Sequence, residues 1–244
     1  MSKRRSKSQQ QAQPVADNTI SFSSYVAQKK PISLVPKGIN QEKYIDMLLD
    51  WEKLIVFATG PAGTGKTMLA VVAAIKALRH GEINKIIITR PAVGVDDESH
   101  GFLPGDLNQK MEPWTRPIID VMLEYYKPQE IDKMLEEKTL EIAPLAYMRG
   151  RNFRNSWIIF DESQNATVNQ MKMALTRLSA GSKMVVTGDL NQLDKQFKLD
   201  NGLKDFIERL AASNSRAIGA VHFATKDVQR HPVVSEVLKL YGEV

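Results

Sequence analysis

The chain has 244 residues, 43% of them hydrophobic, with 33 Lys and Arg against 28 Asp and Glu and no cysteine. That length supports one sizeable core, and the absence of cysteine excludes disulfides and thiolate-ligated zinc. The net charge of +5 is uneven: residues 1–40 carry seven Lys and Arg against one Asp, and the rest sums to −1.

From the N-terminus, "MSKRRSKSQQQAQPVADN" is basic and polar with no apolar run behind it, so it is not a secretory signal. No stretch is apolar for long enough to span a membrane, and a cytoplasmic protein is expected. Residues 1–35 have too little apolar content to offset their ordering entropy and read as a disordered basic tail. The tail is either a solubilising or targeting leader or a tether to phosphate backbones.

The ordered domain is expected over 36–244. Asn40 is a helix N-cap candidate, and Tyr44, Met47, Leu48 and Trp51 fall on one helix face. "LIVFAT" (54–59) is a short buried strand, and a glycine loop follows it. The Ala-rich stretch 66–81 is a helix stopped by Gly81, and "KIIITR" (85–90) is another strand. Residues 91–128 are punctuated by Pro and Gly and read as an insertion with a helix in "WTRPIIDVMLEYYKP". Further strands are expected at 139–148, 157–160, 183–188 and 217–223, and helices at 167–179, 201–212 and 232–241. Apolar strands alternating with helices mean an α/β fold, a parallel sheet covered by helices on both faces.

The loop after the first strand is "GPAGTGKT", which fits G-x-x-x-x-G-K-S/T with the strand before and the helix after that the motif requires. Gly60, Gly63 and Gly65 let the backbone, with Pro61, Ala62 and Thr64 between them, turn its N–H groups toward phosphate oxygens. The helix N-terminus adds its positive end. Lys66 is placed for the β- and γ-phosphates and Thr67 for Mg²⁺. The expected ligands are therefore ATP and Mg²⁺.

A phosphate loop needs a carboxylate at the end of a second strand. "WIIFDE" supplies two. Asp161 is the metal-side acid, acting directly or through a water, because Mg²⁺ keeps several of its waters. Glu162 is placed to polarise the attacking water. A third element, "TGDLNQLD" (187–194), brings Asp189 and Gln192 beside the phosphates if its strand lies between the two that carry Lys66 and Asp161. There Gln192 reaches the γ-phosphate or the water.

The P-loop, "DESQN" and "TGDLNQ", in that order, resemble motifs I to III of superfamily-1 helicases. "RPAVGVDDESHGFLPGDLNQKMEPWTRPIIDVM" (90–122), "IAPLAYMRGRNFRNSWIIFDESQN" (142–165) and "DVQRHPVVSEVLKLY" (227–241) resemble one family more closely, the PhoH-like ATPases. The resemblance covers roughly 36–241. It implies a single RecA-like P-loop NTPase domain with the 183–188 strand beside the P-loop strand, and it implies that Gln41 reads the adenine. Ser163 stands where the family commonly has alanine, with little expected effect. The compact tail-plus-core form resembles bacteriophage members.

A chain ending at 244 leaves no room for a second RecA-like lobe, so an arginine acting on the γ-phosphate is expected in trans, within a homo-oligomeric ring expected to be a hexamer. Arg149, Arg151, Arg154 and Arg230 are the candidates, and Arg230 is alternatively a sensor within its own subunit. Single-stranded RNA or DNA is the expected partner. Lys110, Trp114 and Arg116 either grip a strand or pack the insertion's small core with Tyr125 and Tyr126. The expected function is ATP hydrolysis coupled to binding or remodelling such a strand. The alternative is a slow nucleotide switch acting on protein partners. A small-molecule kinase is disfavoured because Glu162 suits water activation.

Overall fold

The computed structural model describes residues 30–91, 107–192 and 201–229 together with Val233 and Leu240, with only the backbone for 107–114. In chain order the elements are α1 (Ile39–Leu49), β1 (Ile55–Thr59), α2 (Lys66–Arg79), β2 (Lys85–Arg90), α3 (Leu107–Leu123), α4 (Pro128–Glu136) and β3 (Leu140–Pro144). They continue with a 3₁₀ turn (Leu145–Met148), β4 (Ser156–Phe160), a second 3₁₀ turn (Ser163–Asn165), α5 (Val168–Leu175), β5 (Lys183–Gly188), α6 (Gly202–Ala211) and β6 (Ile218–His222).

The six strands make one sheet, ordered β3-β2-β4-β5-β1-β6, with every neighbouring pair parallel. β5 therefore lies between β1 and β4, the position that brings "TGDLNQ" to the phosphate loop. The strands are apolar on both faces because successive side chains alternate between two cores. Val56, Ile86, Ile88, Trp157, Ile159 and Val185 join α1, α2, α3 and α4 on one side. Phe57, Ile87, Ile158, Phe160, Met184 and Val186 join α5 and α6 on the other. On that second side Phe57 stacks on Phe206, centroids 4.9 Å apart and planes 19° from parallel. Burying a side chain of that size contributes about 1.5–3 kcal/mol.

Several boundaries differ from the sequence expectation. α1 starts one residue before Asn40, with Gly38 at the cap position. The Asn40 amide instead donates to Asp227 Oδ2 at 2.7 Å, tying α1 to the segment after β6. The stretch 139–148 is a strand only to Pro144, after which the chain tightens into the 3₁₀ turn. α3 begins at Leu107 and ends at Leu123, before the two tyrosines. α4 was not foreseen, although Pro128 at its first turn and Glu130, which accepts from the Lys127 N–H, are ordinary start signals. α5 stops at Leu175, four residues short of the expected end. The tail to residue 29 and most of the expected helix at 232–241 lie outside the described residues.

Candidate active site

The phosphate loop is shaped by three glycines with left-handed φ: Gly60 at +129°, Gly63 at +81° and Gly65 at +82°. At Gly60 the requirement is also steric, since a Cβ there would lie 2.2 Å from the Phe223 carbonyl oxygen. The segment after β6 thus packs directly on the loop, and the Gln229 N–H donates to the Gly63 carbonyl at 2.8 Å.

From beneath, α1 supports the same loop. Gln41, 4% exposed, accepts the Lys37 N–H through Oε1 at 2.8 Å and donates through Nε2 to the Thr64 carbonyl at 2.9 Å. The Tyr44 hydroxyl donates to the Lys66 carbonyl at 3.1 Å. Each end of the Gln41 amide makes one bond within the chain, which ties α1 to the loop and leaves one Nε2 hydrogen and one Oε1 lone pair for a base. Thr64 is buried and donates to the Pro61 carbonyl at 3.0 Å.

Lys66 folds into the loop, its ammonium donating to the carbonyls of Gly60 (2.6 Å) and Pro61 (2.7 Å). Burial pushes its pKa down, while Asp189, Asp161 and Glu162 oppose that shift. The lysine is the positive centre of a cavity of about 260 Å³ lined by Ala62, Gly63, Gly65, Lys66, Thr67 and Met68, and facing them by Asp161, Glu162, Gly188, Asp189 and Gln192. The ends of β1, β4 and β5 meet there, as expected for the C-terminal edge of a parallel sheet.

The two acids at the end of β4 have different surroundings. Asp161 Oδ1 accepts from Thr67 Oγ1 at 3.0 Å and from Thr187 Oγ1 at 2.5 Å. A hydroxyl and a carboxylate oxygen side by side at a phosphate loop form the hard-oxygen set that Mg²⁺ takes, and these residues fit that ion. Glu162 is one residue further on and has φ +51°, a strained conformation for a side-chain-bearing residue that aims it away from Asp161's partners. Its carboxylate accepts from Gln164 Nε2 at 2.5 Å and pairs with Arg90 Nη2 at 3.6 Å. Gln164, Arg90 and Thr187 were missed by the sequence reading. Gln164 lies within "DESQN", where its two-residue spacing from Glu162 was the available signal. Ser163 is fully buried and its hydroxyl is satisfied by the Thr187 carbonyl at 2.8 Å.

Among the described residues, the arginine candidates are not gathered at this cavity. Arg151 lies near the opposite end of the sheet, around a hollow that includes Asn84, Lys85, Arg154 and Ser156 at the starts of β2 and β4. Its guanidinium pairs with Glu141 and lies 4.7 Å over the Phe153 ring. Arg151 is therefore remote from its own subunit's cavity, because the chain returns across the sheet between β3 and β4; the role expected in trans concerns a neighbouring subunit's cavity. Arg149 is exposed on the turn after β3. Arg230 lies outside the described residues, as do the side chains of Lys110 and Trp114. Arg116 is exposed, and Tyr125 and Tyr126 pack with the first core beside Arg79, the core-packing reading of the two tyrosines.

A family model described as PhoH-like protein matches residues 33–242. The chain belongs to the PhoH-like protein family. A PhoH-like protein of Bacillus subtilis (strain 168) is 44% identical over 211 residues, covering 86% of this chain and 65% of that protein. One from Synechocystis sp. is 42% identical over 205 residues, covering 84% and 61%, and Protein PhoH of Escherichia coli (strain K12) is 40% identical over 198 residues, covering 78% and 53%. This PhoH-like chain therefore spans less than two thirds of those relatives' length. Among solved structures, the Pif1 helicase from Candida albicans gives a TM-score of 0.43 at 15% identity, covering 85% of this chain and 44% of that one. A likeness of that size carries no functional argument for the PhoH-like chain.

Proposed function

We propose that this PhoH-like chain hydrolyses ATP with Mg²⁺ and couples the reaction to binding or remodelling single-stranded RNA or DNA, as a homo-oligomer. One observation carries the hydrolytic reading: the phosphate loop, the Thr67–Asp161 pair and the separately held Glu162 all face one cavity. The loop N–H groups and Lys66 hold the phosphates, and Thr67 and Asp161 hold Mg²⁺, which when bound neutralises charge on the phosphate oxygens. Glu162, fixed by Gln164 and Arg90, orients a water and accepts its proton, while Gln192 reaches the γ-phosphate or that water. Phosphoryl transfer depends mostly on positioning and charge stabilisation, so this set is sufficient for slow hydrolysis.

Arg90, the arginine set beside the site, is paired with Glu162, so we take the arginine for the γ-phosphate to come from a neighbouring subunit of a ring, hexameric by preference, with ATP at subunit boundaries. Arg149, Arg154 and Arg230 are candidates for the donated residue, and Arg151 would have to leave Glu141 to join them. The domain proper is 36–244, and a cytoplasmic setting fits a chain whose described helices are all too short or too polar to cross a membrane.

Steady-state ATP hydrolysis with and without single-stranded RNA and DNA tests the reading. Stimulation by a polynucleotide that disappears in Glu162→Gln supports it. Hydrolysis indifferent to both polymers transfers the function to a protein-directed switch.

A further inference from the structure

We infer that the hollow between the 3₁₀ turn after β3 and the start of α5 is where a single strand's base is held. The inference deepens the nucleic-acid reading above and rests on it. The hollow is about 480 Å³ and is lined by Ala146, Arg149, Asn169, Gln170 and Met173. On the turn that forms one wall, Tyr147 is 59% exposed, and it is the one exposed aromatic among the described residues. An exposed tyrosine ring presents a flat apolar face on which a base can stack.

The composition of the walls selects the partner. The residues around the hollow include the Arg149 cation and no acid. The body's overall charge of −1 therefore does not describe this face, which a polyanion can approach. A base enters against Met173 with the Asn169 amide as hydrogen-bonding partner, Tyr147 stacks on its neighbour, and Arg149 meets the phosphate.

The position of the hollow also gives a route to the chemistry. Glu162 runs through the buried turn Ser163–Asn165 into Thr167, whose hydroxyl caps α5 by accepting the Gln170 N–H at 3.2 Å. Seven residues after Glu162, at Asn169, the chain is a wall of the hollow. A base that presses on the start of α5 acts on the turn that carries Glu162 and Gln164, so strand binding alters the placement of the water-orienting carboxylate.

The test is fluorescence anisotropy of labelled oligouridylate and oligothymidylate on the full chain, alongside ATP hydrolysis and thermal melting. Tyr147→Ala should raise the Kd for the better-bound polymer by about tenfold or more. Tyr147→Phe should stay within about twofold, since it keeps the ring. Both should melt with the wild type and retain its hydrolysis rate in the absence of polymer. Wild-type affinity in Tyr147→Ala overturns this site and leaves the nucleic-acid reading standing. A wild-type chain that binds neither polymer overturns that reading, and the site with it.

Discussion

Gln164 holds Glu162: its side-chain Nε2 donates to Glu162 Oε2 at 2.5 Å, while its Oε1 accepts the Asp189 N–H at 3.1 Å. One amide thus ties the proposed water-orienting carboxylate to the strand end that carries Gln192. Gln164 is itself anchored, with its carbonyl accepting from Asn201 Nδ2 at the cap of α6. Gln164→Ala leaves the phosphate loop and the Thr67–Asp161 pair untouched. The expected result is a kcat for ATP hydrolysis reduced by about 10- to 100-fold with KM nearly unchanged, measured under steady-state conditions. An unchanged kcat would show that Arg90 alone is enough to place Glu162.

Gly60 tolerates a side chain less than Gly65 does, whose added Cβ would come closest to the end of the Gln41 side chain, at 3.1 Å. The Gly60 φ of +129° is one that other residues rarely adopt, and a Cβ would meet the Phe223 carbonyl oxygen at 2.2 Å, which is backbone and cannot swing aside. Gly60→Ala should therefore move the segment after β6 off the loop, destabilising the fold by about 2 kcal/mol or more and abolishing nucleotide binding. Thermal melting with and without ATP and Mg²⁺ checks both parts. Gly81→Ala is the control: its φ is also left-handed, but nothing lies within 4 Å of its added methyl, so it should cost about 1 kcal/mol and spare binding.

Glu141 makes stability depend on pH. Arg151 holds its carboxyl below the ordinary 4.5, burial opposes this, and Lys85 adds to the lowering. The folded state thus releases this proton more readily than the unfolded chain. Its stabilising effect is complete above the unfolded value of 4.5 and is lost as pH falls through the lower folded value. Glu141→Gln should be less stable than wild type at neutral pH, with the difference shrinking below about pH 4.5. Urea denaturation at a series of pH values measures it, and a gap that stays constant into acid would refute the linkage.

Much of this architecture is legible from residue order because its signals are local. The strands at 85–90 and 183–188 are found at the expected bounds, since β-branched apolar runs between turn residues admit few other readings. The phosphate loop is similarly local, its glycines and lysine being consecutive. What escaped notice depends on contacts distant in sequence. Arg90 meets Glu162 only because β2 and β4 are neighbours in the sheet, and Gln164 meets Asp189 only because β4 and β5 are. Arg151 stands only ten residues before Asp161, yet the two lie at opposite ends of β4, because sequence distance does not record which end of a strand a loop serves.

Lys183 is the clearest residue that sequence hides. At the start of β5 it reads as an ordinary edge charge, yet it is fully buried, with its ammonium donating to the carbonyls of Met47, Leu48 and Asp50 at 2.7 Å each. It lies beside the Trp51 and Trp157 rings, 5.6 and 5.5 Å from their centroids. A cation placed there satisfies the orphan carbonyls at the end of α1 and complements its dipole. Burial pushes its pKa down to about 8, so at neutral pH it keeps all three hydrogens and makes all three bonds. Lys183→Met has nearly the same length but leaves three acceptors without a donor, at an expected cost of about 2–4 kcal/mol. Because α1 carries Gln41 and Tyr44, which hold the phosphate loop from below, the loss should reach the site as a raised KM for ATP with kcat preserved. Urea denaturation should show a lower midpoint with the same slope. A variant that loses stability without any change in KM would separate the end of α1 from the loop it supports.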